Sequence, residues 1–483
     1  MSPAGDGRTH KDRRTSRPIP APYQGISWYP SVFMVSSGCC MKFVEIGLKA
    51  LAGLLAFFYI QPVLVWNNPN LYFFVGMLVV ANQMLRSIQH AGLEPSQVLP
   101  YGVGIAVIAL GLLGPVFSGF SVEERIKVLG LPGSPTPAGL PVLDEHTVPL
   151  VSREVAIKAM QRKLEDAGLS MQFKLGSPVK QVYQHRLVWV APLAARGYVK
   201  AFLGAPAPAY AIVAANDTST ARLVNIDINV NDRTLVDLDA RVWFKNPTSD
   251  VYGWYFELDD SGRPHWIGIL AQREVGFRGY DVVGAVALDV TTAKQTHYSR
   301  NEVPQWVNNK FPMEMVARQI NAVGDTVNGL FKFSDAGKFE LSSPLNMVYF
   351  EDRAWYLGTL SSVDKPDSIQ EVVLVDTQTK AIRRIALQGI TDAAAARLLE
   401  ANGPVKGLRA SNPVPYMVGG TPAYVASLAD DEGELRAYGV VSVKQGVFAV
   451  GDTLHSALRE FAWKEHRQMA QPTPELPPMS FDL

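Results

Sequence analysis

The chain has 483 residues, too many for one ordinary core, and its 47% apolar and 19% charged content is that of a globular or membrane-attached protein rather than a disordered one. Lys plus Arg (45) balance Asp plus Glu (45), so no net charge draws it towards nucleic acid. The two cysteines, Cys39 and Cys40, are adjacent and stand without a CxxC or Cys/His cluster, which argues against a disulfide framework and a structural metal.

Residues 1–40 are basic and rich in Pro, Gly and Ser, and read as a flexible arm. Within them Cys39 and Cys40 read as small thiols beside a membrane segment, with palmitoylation or a lipid anchor as the alternatives. The stretch MKFVEIGLK from Met41 also has the form of the start of a signal anchor, which would make residues 1–40 an upstream extension. A membrane domain is expected over 41–127. Phe43–Trp66 and Tyr101–Phe120 are long and apolar enough to cross a hydrocarbon layer of about 30 Å. Leu71–Leu85 is shorter and ends near Asn82 and Gln83, so the expected number of transmembrane helices is two to three.

Arg8, Lys11, Arg13, Arg14, Arg17 and Lys42 precede the first run, whereas Asn67–Asn70 carries no positive charge. The positive-inside rule then places the amino terminus in the cytoplasm. Three spans put the remaining two thirds outside the inner (cytoplasmic) membrane; two would leave it inside. A Pro/Gly linker is expected over 128–149, containing LPGSPTPAGLP at Leu131–Pro141.

Beyond the linker one pattern recurs. Val179–Leu193, Trp254–Leu270, Asn346–Leu360 and Val414–Leu428 are each an apolar run, a short polar break and a second run bearing Trp189, Trp266, Trp355 or Tyr424. That is a β-hairpin signature. A helical segment precedes each: Ser152 caps the first, whose Ile157, Met160 and Leu164 share a face up to Gly168, and Leu235, Leu238 and Val242 align in the second. Pro312 stands as a first helical residue before Met313, Val316, Ile320 and Val323, and Thr391 caps the fourth, which Gly403 and Pro404 stop. A further hairpin closes each unit. Starts near 152, 234, 313 and 391 give a period of about 80 residues. The expected units are 150–230, 231–305, 306–388 and 389–466, followed by a Pro-rich tail over 467–483. A helix covering one face of a small antiparallel sheet is an α+β arrangement, in which the hairpin aromatics supply the core.

No HExxH, GxSxG or GxxxxGK[ST] occurs, so zinc-peptidase, hydrolase-elbow and P-loop chemistries lack their defining residues. His185, His265 and His297 fall in or near hairpin turns and strands and read as solvent-facing. The acid pairs Asp237/Asp239, Asp259/Asp260 and Asp430/Asp431 fall in polar turns or a weak helix. Leu258–Gly262 offers too few oxygens for calcium, and Lys380, Arg383 and Arg384 make a patch too small for nucleic acid. No catalytic, cofactor-binding or metal residue is therefore assigned, and no cofactor is expected.

The closing segments AVALDVTTAKQTHY and VVLVDTQTKAIRRI, with Asp289–Thr292 and Asp376–Thr379 at their turns, resemble the PepSY type of domain over Leu150–Asp452. Asn216–Thr220 matches more loosely, and the fourth copy departs from the pattern with Val443–Gly446 in its turn. The resemblance implies tandem PepSY-like α+β units in a bacterial or phage envelope protein. Membrane helices, repeats and missing enzyme motifs together favour a non-enzymatic scaffolding or protein-binding arm of a larger membrane assembly, whereas the resemblance favours a regulator or inhibitor of an envelope peptidase; an enzyme with an unrecognised site is the third reading. Expected partners are membrane lipid, other envelope proteins and further copies of the chain through free sheet edges, with no nucleic acid.

Overall fold

The apolar runs become strands that are covered on both faces. Arg186–Ala195 is buried at every position from Leu187 to Leu193, and Arg353–Ser362 from Ala354 to Ser361. A sheet with a helix on one side and water on the other would alternate. Unbroken burial requires a second layer against each face. In this computed structural model, which describes residues 37–89, 95–117, 139–197, 206–230, 232–327, 335, 337–411, 413–444 and 446–469, that layer is the next sheet.

Four sheets follow one another along the chain, each an antiparallel meander. Blade 1 contains β1 (Phe173–Leu175), β2 (Val179–Tyr183), β3 (Arg186–Ala195), β4 (Ala207–Ala214) and β5 (Arg222–Ile228). Blade 2 contains β6 (Asp250–Leu258), β7 (Pro264–Val275), β8 (Arg278–Asp289) and β9 (Gln295–Ser299). Blade 3 contains β10 (Phe339–Leu341), β11 (Asn346–Phe350), β12 (Arg353–Ser362), β13 (Lys365–Asp376) and β14 (Ile382–Ile390). Blade 4 contains β15 (Arg409–Ala410), β16 (Val414–Val418), β17 (Thr421–Ala429), β18 (Leu435–Ser442) and β19 (Phe448–Gly451).

In blades 1, 3 and 4 the first strand is split in two, both pieces pairing with the same neighbour. Pro178, Pro344 and Pro413 stand at the splits, where a residue without an N–H interrupts the ladder. Blade 2 has Gly253 and a register shift at the corresponding place in an otherwise continuous β6.

The first strands converge: the Leu258 N–H of β6 donates to Gln181 Oε1 of β2 at 3.0 Å, and Tyr349 of β11 lies 3.4 Å from His185 at the β2–β3 turn. Successive blades then stack around this axis. Val190 and Tyr210 pack with Phe256, Trp266 and Leu288 between blades 1 and 2. Ile267 and Ala285 share a core with Tyr356 and Val373 of blade 3, and Trp355 and Leu374 share one with Tyr416 and Tyr424 of blade 4. Fully buried rings such as Phe256, Tyr356 and Tyr424 each contribute about 1.5–3 kcal/mol through burial. The segment before the first blade closes the ring. Leu143 N–H donates to Met417 O (3.0 Å) and Met417 N–H to Pro141 O (2.8 Å) on blade 4, while Ser427 Oγ donates to Leu150 O (2.5 Å) and Val151 N–H to Ala215 O (2.7 Å) on blade 1.

The chain is thus a four-bladed β-propeller, and the expectation of tandem PepSY-like α+β units is corrected. The two hairpins foreseen in each unit are joined by pairing of their middle strands, β3 with β4, β7 with β8, β12 with β13 and β17 with β18, into one sheet. Each sheet shares a core with neighbouring sheets, and helices add only local cover, as Val242 does on Leu270 and Val286 and Phe461 on Val440.

Among the described residues eight α-helices accompany the strands. α1 (Ser37–Ile60), α2 (Pro69–Gln89) and α3 (Pro95–Phe117) come first. α4 (Arg153–Asp166), α5 (Asp232–Lys245), α6 (Met313–Thr326) and α7 (Asp392–Ala401) precede the four blades, and α8 (Leu454–Met469) follows the last. Ser152 Oγ and Thr391 Oγ1 cap α4 and α7 by accepting the Val155 and Ala394 N–H groups. Pro312 occupies the cap position itself, with α6 starting one residue later.

Residues up to Leu55 separate as a unit of their own, in which α1 carries a Lys49–Glu45 ion pair of 2.5 Å. In the second unit, Pro69–Ile88 of α2 and Pro95–Gly114 of α3 are long and apolar enough to cross a membrane. The second apolar run, which looked short, is therefore part of a continuous helix. Gly76 of α2 lies so close to α3 that a Cβ there would sit 2.9 Å from Gly104 O, a close backbone approach that small residues permit between packed helices. Of the expected basic arm residues 1–36, of the linker residues 128–138, and of the Pro-rich tail everything from Ala470, lie outside the described residues.

Candidate functional site

The four blades and the closing strap surround an open cavity of about 980 Å³. Its wall takes Lys180 from β2, Tyr255 from β6, Asn346 from β11 and Arg409 from β15, so that every blade contributes, with Asn309 from the loop ahead of α6 and Glu314 from its first turn. The placement follows from the topology. The first strand of every blade faces the axis, so residues far apart in sequence meet there.

Asn309 is the hub of the inner end. Its side-chain amide donates to Glu257 Oε1 at 2.9 Å and to Lys180 O at 3.3 Å, while its own Oδ1 accepts from Tyr356 OH at 3.5 Å. Glu257, on β6, is fully buried and also accepts the backbone N–H of Asn308 (2.6 Å, on Oε2) and of Asn309 (3.0 Å, on Oε1). Burial raises its carboxyl from 4.5 to about 7 against the opposing pull of these three donors. One carboxylate thus pins the loop ahead of α6 to blade 2, and through Asn309 to blades 1 and 3. Behind it Gln181 is buried, and its Nε2 has no partner among the described residues.

Lys180 is the other unusual group. Its surface is partly accessible through the cavity, yet the surrounding wall desolvates the ammonium and pulls it from 10.5 down to about 8. Among the described residues no carboxylate reaches it. Its Nζ lies 4.8 Å from the ring centre of Trp189, directly across the ladder. Trp189 in turn donates its indole N–H to Val151 O of the strap at 2.9 Å, and Tyr424 OH donates to Ile390 O at 3.0 Å at the equivalent place in blade 4. The phenols of Tyr255 and Tyr356 are held above their ordinary range by burial first, with Glu314 and Glu257 adding. The inner cavity is therefore a desolvated cation beside phenols, amides and an indole face, with carboxylates such as Glu314 and Asp430 further along the wall. Such a site can hold an anion, and it contains an amine that is partly neutral near pH 8.

Of the residues weighed in the sequence, Asp430, Asp431 and Trp189 line the cavity wall and the others lie elsewhere. Asp259 Oδ1 accepts the N–H groups of Ser261 and Arg263 and stabilises its own turn, and Asp430 does the same for Glu432 and Glu434. Asp239 accepts the Trp254 indole N–H, and Asp431 pairs with Arg409. His265 stacks on Trp306, and His297 lies 3.4 Å from Asn246 with its pKa lowered by burial. The expected basic patch is divided among three ion pairs: Lys380 to Asp281, Arg383 to Glu351 and Arg384 to Glu371. Trp189, Trp266, Trp355 and Tyr424 are buried, and Trp189 also lines the cavity. Sequence reasoning missed Lys180, Glu257 and Asn309. The available signal was a polar residue inside an otherwise apolar first strand, Lys180 in VKQVY and Glu257 in YFEL.

The expected non-enzymatic scaffolding arm, and the peptidase regulator offered beside it, are corrected together with the fold from which they were drawn. Their contact surfaces were to be free edges and open seams between units. Here the seams are filled by shared cores, and the first strands converge on a cavity holding ionisable groups. Missing peptidase and nucleotide motifs do not make such a cavity inert, so the expectation that the chain is no enzyme is dropped. No family model matches the chain, and no curated protein does. Among solved structures, a GH43 β-1,3-galactosidase with galactodeoxynojirimycin is similar at 11% identity over 58% of this chain and 77% of that one, with a TM-score of 0.20. At that score the likeness carries no argument about activity or ligand.

Proposed function

We propose that the chain is a membrane-tethered β-propeller whose axial cavity takes up a ligand bearing an anionic group, held against the ammonium of Lys180. The observation that carries this reading is a desolvated cation, without a carboxylate partner among the described residues, facing an open cavity. A bound anion would supply the missing counter-charge and raise the Lys180 pKa. By linkage, affinity is full while Lys180 is protonated and falls as pH rises through about 8. Pyridoxal phosphate with borohydride is a direct probe, since it joins an aldehyde to an anion. Labelling is expected at Lys180 ahead of the surface lysines, and inorganic phosphate should suppress it. Lys180→Met should abolish it, while Lys180→Arg should retain phosphate binding with the alkaline limit moved upward. Labelling spread evenly over the lysines, or unaffected by phosphate, would overturn the reading.

The orientation we propose rests on charge. Six basic residues precede the first apolar run, Arg86 lies in the last turn of α2, and Gln61–Asn68 carries no Lys or Arg. The amino terminus and the α2–α3 connection then face the cytoplasm, and the propeller lies outside it. Alkaline phosphatase fused after Met469 should be active; an inactive fusion in a stable, membrane-inserted chain would refute this orientation.

A further inference from the structure

We infer that blade 2 carries an aromatic foot that seats the propeller on the headgroup region of the bilayer; the inference rests on α2 and α3 crossing that bilayer. The chain between Phe57 and Asn68 is bound along one side of blade 2. Trp243 Nε1 of α5 donates to Pro62 O at 3.2 Å, Leu64 N–H to Pro247 O at 2.6 Å, and Asn67 Nδ2 to Arg273 O of β7 at 2.8 Å. Rings reinforce these bonds: Phe57 lies 5.3 Å from Trp243 and Phe58 5.6 Å from Phe244. Phe277, at the β7–β8 turn, contacts Trp66 and Tyr72 at 5.9 and 5.5 Å. The same ring lies over Gly114 of α3, where a Cβ would come within 2.8 Å of it. The beginning of α2, the end of α3 and the tip of blade 2 are therefore at one level.

That level is where exposed aromatic surface collects. Tyr59 is 90% exposed, Trp66 69% and Phe244 61%, with Phe58 beside them, whereas Trp463 stands alone among the exposed large rings elsewhere on the described surface. Rings at the ends of apolar helices match the interfacial layer, which accepts an apolar body with a polar edge. Arg241 and Lys245, both exposed on α5 around Phe244, are placed to meet lipid phosphates. Continuity with the apolar helices selects the occupant: a phospholipid surface adjoins this patch whenever α2 and α3 are embedded, and it is covered without any further partner. The foot would fix the tilt of the propeller and hence the direction in which its cavity opens.

The test uses the full chain with Cys39 and Cys40 changed to Ser, reconstituted in phosphatidylethanolamine–phosphatidylglycerol vesicles. Single cysteines introduced as Phe244→Cys, Tyr59→Cys, Met77→Cys and Asp431→Cys carry an environment-sensitive fluorophore, and lipids with nitroxides at different depths quench it. Met77, in the middle of α2, should respond to deep nitroxides, Asp431 at the cavity rim to none, and positions 244 and 59 to shallow ones, about 5–10 Å into the headgroup boundary. Tyr59→Cys removes little packing, so the test survives if Phe244→Cys folds poorly. Quenching at 77 with none at 244 and 59 would overturn the foot while leaving the membrane spans in place. No quenching at 77 would remove both.

Discussion

Replacing Glu257 with Gln tests whether the axial clamp is an ionisable one. In the folded chain its carboxyl titrates near 7, whereas the unfolded value is 4.5. The folded state therefore holds the proton more tightly, and stability is greatest below the unfolded pKa and lost as pH rises to the folded one. A displacement of 2.5 units at 1.36 kcal/mol each makes this loss about 3 kcal/mol between about pH 4 and pH 8. The Glu257→Gln chain would have no such dependence, and the amide it introduces keeps only one acceptor for donors now shared between two oxygens. If that single oxygen serves Asn309, the new amide N–H group faces the Asn308 N–H, costing about 1–3 kcal/mol at every pH. The two stability curves should then differ most near pH 5, with the natural chain ahead, and meet or cross towards pH 8. Urea unfolding of the solubilised chain, followed by tryptophan fluorescence across that range, measures it. A Glu257→Gln chain whose stability falls between pH 5 and 8 as steeply as that of the natural protein would refute the reasoning.

Two further substitutions probe packing, one between blades 2 and 3 and one between α6 and blade 3. Asp281 bridges Lys380 and Arg300 at 2.8 Å each, with Asp281 and Lys380 both buried, so Asp281→Asn should cost about 3–5 kcal/mol in urea unfolding by stranding the Lys380 ammonium. Adding Lys380→Met should recover part of that loss, and strict additivity of the two would contradict direct coupling. Gly324→Ala would bring a Cβ against the Phe339 carbonyl of β10, where only backbone movement can relieve the clash, and should cost about 1–3 kcal/mol in the same measurement. Gly102→Ala, in open space within α3, is the control and should cost nothing, gaining up to about 1 kcal/mol from helix propensity.

The period of about 80 residues is legible in the sequence because Ser152, Pro312 and Thr391 punctuate it and one aromatic recurs in each second run. The step from period to architecture fails at a single point. Rough alternation in LVWVAPL and AWYLGTL implies one face for a helix, but both are continuous apolar runs, and continuity means cover on both sides. Hairpin signals are local, carried by turns such as Gln184-His185 and Glu351-Asp352 in left-handed backbone, so each hairpin is visible by itself. The pairing of β3 with β4 has no such turn to announce it, since the connection between them runs from Arg196 to Pro206. Pro178, Pro344 and Pro413, each just ahead of an inner strand, are the repeated mark that separates a split first strand from a hairpin arm.

The cavity is harder to read than the fold for a reason the fold itself supplies. Lys180, Glu257, Asn309 and Tyr356 come from three blades and a loop, and the closest two in sequence are 47 residues apart. None lies in a motif, because no two need a fixed spacing when the axis, and not a turn or helix, brings them together. A polar residue in a strand ordinarily points to water, and that is the natural reading of Lys180 and Glu257 in a one-sided sheet. Inside a ring of blades the same positions face a shared interior, where burial moves the carboxyl up to about 7 and the ammonium down to about 8. The two shifts bring both groups into the range where protonation responds near neutral pH, and Asn309 links them physically, bonded to the Glu257 carboxylate and to the Lys180 backbone. A change of charge at Glu257 acts on the loop that presents Asn309 and Glu314 to the cavity, so ligand binding at Lys180 and the state of the clamp should be read together in the pH profiles above.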